Sequence, residues 1–314
     1  MTPRQLRYFV EIAKSGNISV ASAALRIAQP ALSQHVASME QELGVKLLVR
    51  HGKGVSLTAE GKRLVQRASS ILDQMEALHS DVIAPPGRPR GPVRLCIARS
   101  MVDILAAPLY RSVQATYPDV RLLLSSALSS EARTLMEARQ LDLALMPNAF
   151  ELPNIVCQPL YEESFALFEA HTSIRRVAKT IAFANIGSRP LVAPDRDHDL
   201  RRMVERTAVA HNCPLNVCYE INDPALCMAL VREGVASAIL PENASFALRH
   251  NPQIAMRRII KPRLSRVQSI VRPLDANGTD AAIQAVADIL PMLVDALIRT
   301  GQLDGKLADT SLAQ

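Results

Sequence analysis

Apolar residues recur at helical spacing from the start of the chain. Leu6, Phe9, Val10 and Ala13 share one face before Ser15-Gly16-Asn17 breaks the run. Ile18, Ala21, Ala24 and Leu25 form a second short apolar face. Gln29-Pro30 then opens a third helix, because proline suits a first helical position. Leu32, Val36, Met39 and Leu43 continue it at spacings of four, three and four, until Gly44 ends the helix. The opposite face carries Gln29, Pro30, Ser33, Gln34, Ala37, Ser38 and Gln41. An ordinary solvated helix face holds more Lys and Glu than this one. Small residues, amides and hydroxyls without charge suit close approach to base edges in a major groove. Two short apolar runs, Leu47-Leu48-Val49-Arg50 and Val55-Ser56-Leu57, flank His51-Gly52-Lys53-Gly54 and predict a β-hairpin with a basic tip. Three short helices and this hairpin make a winged helix-turn-helix.

From Thr58, a capping residue, a helix is expected to about Val82. Leu64, Ala68, Ile71, Met75, Leu78 and Val82 alternate in steps of four and three, a seam of almost three heptads. Packing on its own domain would give a similar stripe. A second copy is favoured, because Pro85-Pro86-Gly87-Arg88-Pro89-Arg90-Gly91 separates the helix from the remainder of the chain, and helix-turn-helix proteins commonly read two-fold sites as dimers.

Past Val93 the pattern changes to alternating strands and helices. Strands are expected at Val93–Ala98, Val120–Leu124 and Leu141–Met146, with helices at Asp103–Thr116 and Ser130–Arg139. A second set has strands at Pro190–Ala193, Val217–Ile221 and Ala236–Leu240, with helices at His198–Ala210 and Asp223–Glu233. Such alternation predicts parallel sheets flanked by helices, with ligands near strand C-terminal ends and helix N-termini.

Charge sharpens this division. The chain has 314 residues and a net charge of +6. Residues 1–67 hold ten Lys/Arg against four acids, which leaves 26 of each sign for the rest. The entire excess sits in the first fifth, as expected for a polyanion-binding module, nucleic acid before membrane. No stretch of about 18 uninterrupted apolar residues occurs, and the N-terminus lacks a signal-peptide pattern, so a cytoplasmic location is expected. Five cysteines without a CxxC pair and seven histidines without ligand spacing predict neither a disulfide scaffold nor a metal site, and no cofactor is expected. No P-loop, GxSxG elbow, HExxH or dinucleotide fingerprint occurs, which argues against an enzyme. A transport-type binding protein is opposed by the basic N-terminal domain. A purely architectural DNA protein would have no use for two hundred residues of strand and helix.

Residues 4–61 resemble the N-terminal domain of LysR-type transcriptional regulators. The likeness lies in Leu6-Arg7-Tyr8-Phe9, Ala21 to Leu25, Gln29-Pro30-Ala31-Leu32-Ser33, Met39-Glu40-Gln41-Glu42-Leu43-Gly44 and Leu57-Thr58 to Gly61. Two positions depart from the family: Ala28 where a hydroxyl cap is usual, a loss of about 1 kcal/mol, and Ser38 where a basic residue is frequent. The resemblance implies that Gln29, Pro30, Ser33 and Gln34 face bases while Arg50 and Lys53 lie on the phosphate backbone.

Residues from about Gly91 to Thr300 resemble the effector-binding region of the same family. The better matches are Asp142-Leu143-Ala144-Leu145, Arg189 to Pro194, and Glu233-Gly234 followed by Ala238-Ile239-Leu240-Pro241. The implied fold class is α/β: an N-terminal all-α winged helix-turn-helix and a long linker helix, then two α/β subdomains of periplasmic-binding-protein type. The implied domains are 1–59 for DNA binding, 60–84 for the linker and dimerisation helix, and 85–91 for a hinge. An effector domain spans 92–300, with subdomain I at about 92–163 and 269–300 and subdomain II at about 164–268. A flexible tail is expected at 301–314. The chain is expected to cross between subdomains near Ser164 and Gln268.

Position by position, the effector cleft would be lined by Ser100 and Ser129 from one subdomain and by Pro194, Asp195, Arg196 and His198 from the other. Hydroxyls just before helices favour an anion, although helix capping alone also explains them. Arg196, Arg201 and Arg202 either add charge-assisted bonds or stand in solvent. Asp195 either neutralises Arg196 or selects a ligand bearing an amine. The implied function is a sequence-specific DNA-binding transcriptional regulator modulated by a small, acidic metabolite held between the subdomains. Its expected partners are double-stranded promoter DNA, that effector, a second copy of itself (with assembly to a homotetramer) and RNA polymerase, with no membrane.

Overall fold

A computed structural model describes every residue except 53, 84–87, 148–154, 172–177, 244–252, 275–280 and 309–314; side chains at 70, 73, 74, 76, 77 and 79–83 are also undescribed. The chain divides into two compact units, Met1–Pro92 and Val93–Gln314. Residues 84–87, which include the Pro-Pro-Gly that opens the expected hinge, lie outside the described residues.

The first unit is built from α1 (Pro3–Ser15), α2 (Ile18–Leu25), α3 (Gln29–Leu43), β1 (Leu48–His51), β2 (Gly54–Leu57) and α4 (Ala59–Ile83). Thr2 and Gln5 close a capping box on α1, and the Asn17 side chain caps α2. Ala28 precedes α3 with no side-chain cap, as the missing hydroxyl predicts. One core takes Leu6, Phe9 and Ile12 from α1, Ala21 from α2, Leu32, Val36 and Met39 from α3, and Ala68 from α4. β1 and β2 pair antiparallel, Leu48 opposite Leu57 and His51 opposite Gly54. Two glycines allow this packing. A Cβ at Gly61 would stand 2.1 Å from the Leu47 carbonyl oxygen, and one at Gly54 would stand 2.4 Å from that of Gly16.

Helix α4 divides its heptad seam between two environments. Leu64 and Ala68 pack into the unit's own core, whereas Ile71, Met75 and Leu78 are exposed, Leu78 by 64%. Val82's side chain lies outside the described residues.

The second unit contains β3 (Gly91–Ala98), α5 (Val102–Thr116), β4 (Val120–Ala127), α6 (Ser129–Glu137), β5 (Leu143–Pro147) and β6 (Ile155–Ala170). It continues through β7 (Thr180–Ala182), β8 (Leu191–Ala193), α7 (Asp199–Ala210), β9 (Val217–Glu220), α8 (Pro224–Arg232) and β10 (Ser237–Pro241). The last elements are β11 (Ile254–Ile260), β12 (Ser265–Pro273), α9 (Ala281–Arg299) and β13 (Lys306–Leu307). The strands run in the order β4-β3-β5-β12-β6-β10-β8-β9, and their two halves form two lobes. In the first lobe, Leu105 and Leu109 of α5 and Val286 and Leu290 of α9 share a core with Leu95 and Leu143 of the sheet. The second lobe has its own core, around Phe165, Leu167, Leu200, Val231 and Ile239.

The structure departs from purely parallel sheets and from a loose end after Gly301, and it locates the two chain crossings. The sheets are not purely parallel: β3 with β5 and β8 with β10 are parallel, but β12 and β6 run antiparallel. The chain leaves the first lobe along β6, where pairing with β12 ends at Ser164 and pairing with β10 begins at Phe165. It returns at Leu264–Ser265, just ahead of Gln268. The stretch 301–308 is no loose tail. Leu303 is 1% exposed in the first-lobe core, Lys306 and Leu307 pair with β6, and Asn243 exchanges two hydrogen bonds with the Asp304 backbone. Its polar composition concealed a single apolar anchor.

Among the described residues, α9 alone is long and apolar enough to cross a membrane. Its Val286, Leu290 and Val294 are fully buried in the first lobe, which is the position of a core helix.

One tie joins the end of α3 to the hairpin. The Glu40 carboxylate accepts from Lys46 Nζ at 2.7 Å and from the Leu47 and Leu48 amides at 2.8 and 3.3 Å. Burial raises the carboxyl's affinity for a proton, but these donors outweigh it and leave it below its ordinary value of 4.5. The stabilisation is therefore present above that value and is lost as pH falls through the lower folded-state value. Glu40→Gln is expected to lose about 1 kcal/mol of unfolding free energy at pH 7, measured by urea titration. At pH 3 and below, the difference from the parent protein should shrink.

Candidate nucleic-acid interface and ligand cleft

On α3, Leu32, Val36 and Met39 are buried, while Gln29, Pro30, Gln34, Ala37, Ser38 and Gln41 are exposed and Ser33 is half-buried. The helix thus presents a continuous uncharged flank. Without a cap at Ala28, the first backbone N–H groups of α3 stay open to an anion such as a phosphate. Ser19 of α2 donates to Gln29 Oε1 at 3.1 Å, which fixes that side chain and leaves its amide N–H groups to donate. Acids near the far end of α3 are paired: Glu40 with Lys46, and Glu42 with the N-terminal ammonium at 2.5 Å. On the hairpin, Arg50 and His51 are exposed. Lys53, expected at its tip, lies outside the described residues.

The second unit has a cleft between its lobes that encloses a cavity of about 70 Å³. The first lobe supplies Arg99 and Ser100, from a 3-10 turn (Arg99–Met101) before α5, and Ser129, the first residue of α6. The second supplies Pro194, His198, Asn222 and Cys227. Four of the six expected cleft residues therefore line the cavity together: Ser100, Ser129, Pro194 and His198. The Ser100 hydroxyl is buried without a hydrogen-bond partner among the described residues, so it caps nothing.

Asp195 and Arg196 do not line this cavity. The Asp195 carboxylate is held by Asn222 Nδ2 at 2.6 Å, and its backbone N–H donates to Asn222 Oδ1. That bond from Asn222 lowers its proton affinity. Arg196 is 79% exposed, and its nearest carboxylate is Glu205 at 3.9 Å. The neighbouring arginines serve the fold. Arg201 is buried and donates to the Pro194 carbonyl and to Glu205, and Arg202 pairs with Asp199.

His198 is the N-cap of α7, and its Nδ1 accepts from the Leu200 amide at 3.1 Å. Nε2 therefore carries the ring proton in the neutral form and is a donor. Burial, and then the nearby Arg266 cation, push its proton affinity down.

Sequence reasoning missed Arg266. It lies on β12 directly after the return crossing and lines the cavity. Its Nε donates to Glu163 Oε1 at 2.6 Å, and Glu163 is fully buried on the paired strand β6. Gln268 donates to the same oxygen at 2.8 Å, and the Phe165 ring lies 5.2 Å from the guanidinium carbon. The available signal was polar alternation, Arg266 and Gln268 two apart in an apolar strand facing Glu163 in another.

A winged helix-turn-helix with a neutral exposed flank, followed by a two-lobed α/β unit with a cleft, defines the class of one-component, ligand-responsive DNA-binding regulators. The comparisons place the chain within it. Residues 3–62 match the family described as bacterial regulatory helix-turn-helix protein, lysR family, and residues 86–292 match the LysR substrate binding domain. The chain belongs to the LysR family of transcriptional regulators, which are not enzymes. It is 30% identical over 296 residues to the nitrogen assimilation regulatory protein nac of Klebsiella aerogenes, covering 94% of this chain and 95% of that one. It is also 34% identical over 161 residues to the regulator CrgA of Neisseria meningitidis, 51% of this chain and 53% of that one. Full-length CbnR, solved in complex with its target DNA, superposes with a TM-score of 0.72 at 21% identity, covering 93% of this chain and all of that one. Full-length OxyR C199D of Pseudomonas aeruginosa superposes with a TM-score of 0.66 at 22% identity, covering 93% of this chain and 98% of that one. These two likenesses concern the fold.

Cys227 faces the cleft, but burial first, and then the Asp223 carboxylate, push its thiol up to about 11. At pH 8 about one molecule in a thousand carries the thiolate there. Iodoacetamide at pH 8 is therefore expected to alkylate the exposed Cys218 well before Cys227, read by peptide mass spectrometry. Equal labelling rates at the two positions would contradict the burial.

Proposed function

We propose that this protein is a sequence-specific DNA-binding transcriptional regulator, acting in the cytoplasm, whose activity is set by a small, acidic metabolite bound between its two α/β lobes. The observation that carries the first half is the division of α3 into an apolar buried flank and an exposed flank of amides, hydroxyls and small side chains. On this reading Gln29, Pro30, Ser33 and Gln34 meet base edges, and Arg50 and Lys53 meet phosphates. The second half rests on the cavity between the lobes and on the unpartnered Ser100 hydroxyl at its wall.

Exposed Ile71, Met75 and Leu78 support pairing of α4 with a second copy, so that two reading helices address a two-fold operator. CbnR, which shares the fold, is solved on its target DNA. Ligand binding would draw the lobes together and shift the populations of assembled forms.

Gel-shift titrations against variants of an operator separate the two kinds of contact. Gln34→Ala is expected to relax preference at one base pair, by about 1–3 kcal/mol of lost discrimination. Arg50→Ala is expected to weaken every operator alike and to lower the salt slope by about one. Uniform loss across all operators for Gln34→Ala would overturn the base-reading assignment.

A further inference from the structure

We infer that Arg266 is the residue that selects the ligand, and that the ligand is a small monocarboxylate with a short apolar body. This rests on the cleft being the effector site.

The charged side chains lining the cavity are Arg99 and Arg266, and no carboxylate is among its lining residues. Arg99 is partly exposed and has only a distant partner, Glu131 at 3.8 Å. Arg266 differs, because its side chain is 8% exposed. Its Nε is committed to Glu163, whereas among the described residues its two terminal nitrogens have no hydrogen-bond partner. A guanidinium held on one edge presents the other edge as a fork, which matches the two oxygens of a carboxylate. Glu163 and Phe165 fix the plane of that fork, so little rotamer freedom is lost on binding.

Two further donors face the same space. The Ser100 hydroxyl is buried and unpartnered, and His198 has Nε2–H to offer because its Nδ1 already accepts from Leu200. The remaining wall is apolar, with Ala127, Leu128, Leu240 and Pro241 among its members. An ammonium finds no carboxylate on this wall, because Glu163 is not among the lining residues and the Asp195 carboxylate is held by Asn222. A second carboxylate would have only Arg99 to meet it, and that side chain is 38% exposed and lies 3.8 Å from Glu131. A cavity of 70 Å³ has the volume of about two waters, so the hydrocarbon chain beside the carboxylate must be short.

The test uses the full-length protein, thermal-shift assays and titration calorimetry, with sodium butyrate, butylamine, 1-butanol and sodium succinate as probes. Butyrate is expected to stabilise the parent protein saturably, and the other three to bind more weakly or not at all. Arg266→Lys keeps a cation opposite Glu163 but loses the fork, and should raise the butyrate Kd about ten- to a hundredfold. Its circular dichroism should not change. Ser100→Ala removes a hydroxyl with no protein partner, so the fold is undisturbed; it should weaken butyrate about three- to tenfold. Unchanged butyrate binding in both variants overturns the assignment of Arg266. Tighter binding of butylamine or butanol than of butyrate overturns the carboxylate while leaving the cleft as the effector site. Failure of all four probes overturns the inference. If promoter binding also ignores a pooled metabolite extract, the broader reading falls with it.

Discussion

Two antiparallel strands, β6 and β12, are the only link between the lobes' sheets among the described residues, and the cleft depends on how they pair. Where they cross, Glu163 and Arg266 sit opposite each other, buried in the plane between the two cores. A buried ion pair is costly unless its remaining donors and acceptors are satisfied, and an apolar pair of similar volume is often as stable. Here Gln268 adds a second bond to the same oxygen, Oε1, and the Phe165 ring lies against the guanidinium, while Glu163 Oε2 and Gln268 Oε1 have no hydrogen-bond partner among the described residues. The arrangement turns a side chain that could reach many positions into a fixed fork at the bottom of the cleft. Each lobe keeps its own core, and beyond the two strands Asn243 ties the second lobe to the Asp304 backbone of the first.

In the N-terminal unit the governing constraint is the division of α3. Its apolar face is locked by Leu32, Val36 and Met39 among the residues of α1, α2 and α4, so the polar flank has no choice but to face outward. Glu40 then fixes where the hairpin begins by receiving two of its backbone amides, and Gly61 lets α4 start hard against the Leu47 carbonyl. The resulting surface carries Arg50 and His51 on the hairpin and an uncharged flank on α3. That combination suits a protein that finds DNA by charge and tells sequences apart by hydrogen bonds.

Much of this was legible in the sequence, because periodicity is local. The three short helices, the hairpin, the heptad seam and the alternating strands and helices each depend on residues within a few positions of one another. The cleft was only half legible. Ser100, Ser129, Pro194 and His198 are placed by their own turns, whereas Arg266 acquires its role from Glu163, 103 residues away in the chain. Arg196 and Asp195 looked suitable because they adjoin a helix start, but that turn aims one at solvent and gives the other to Asn222. Strand β6 is interrupted by Glu162-Glu163-Ser164 where it leaves one sheet for the other, as the expected crossing near Ser164 implied, but nothing local shows that Glu163 meets Arg266 there. The polar stretch after Gly301 resembled a loose end because one leucine, Leu303, carries its anchorage.

The central claim is that one face of α3 enters duplex DNA and that occupancy of the cleft alters how it does so. Hydroxyl-radical footprinting of the purified full-length protein on the region upstream of its own gene tests this most directly, performed at several salt concentrations and with and without butyrate. The expected result is a protected tract that fades as salt rises and whose extent changes when butyrate is added. Absence of any protected tract, even at low salt, would contradict the account.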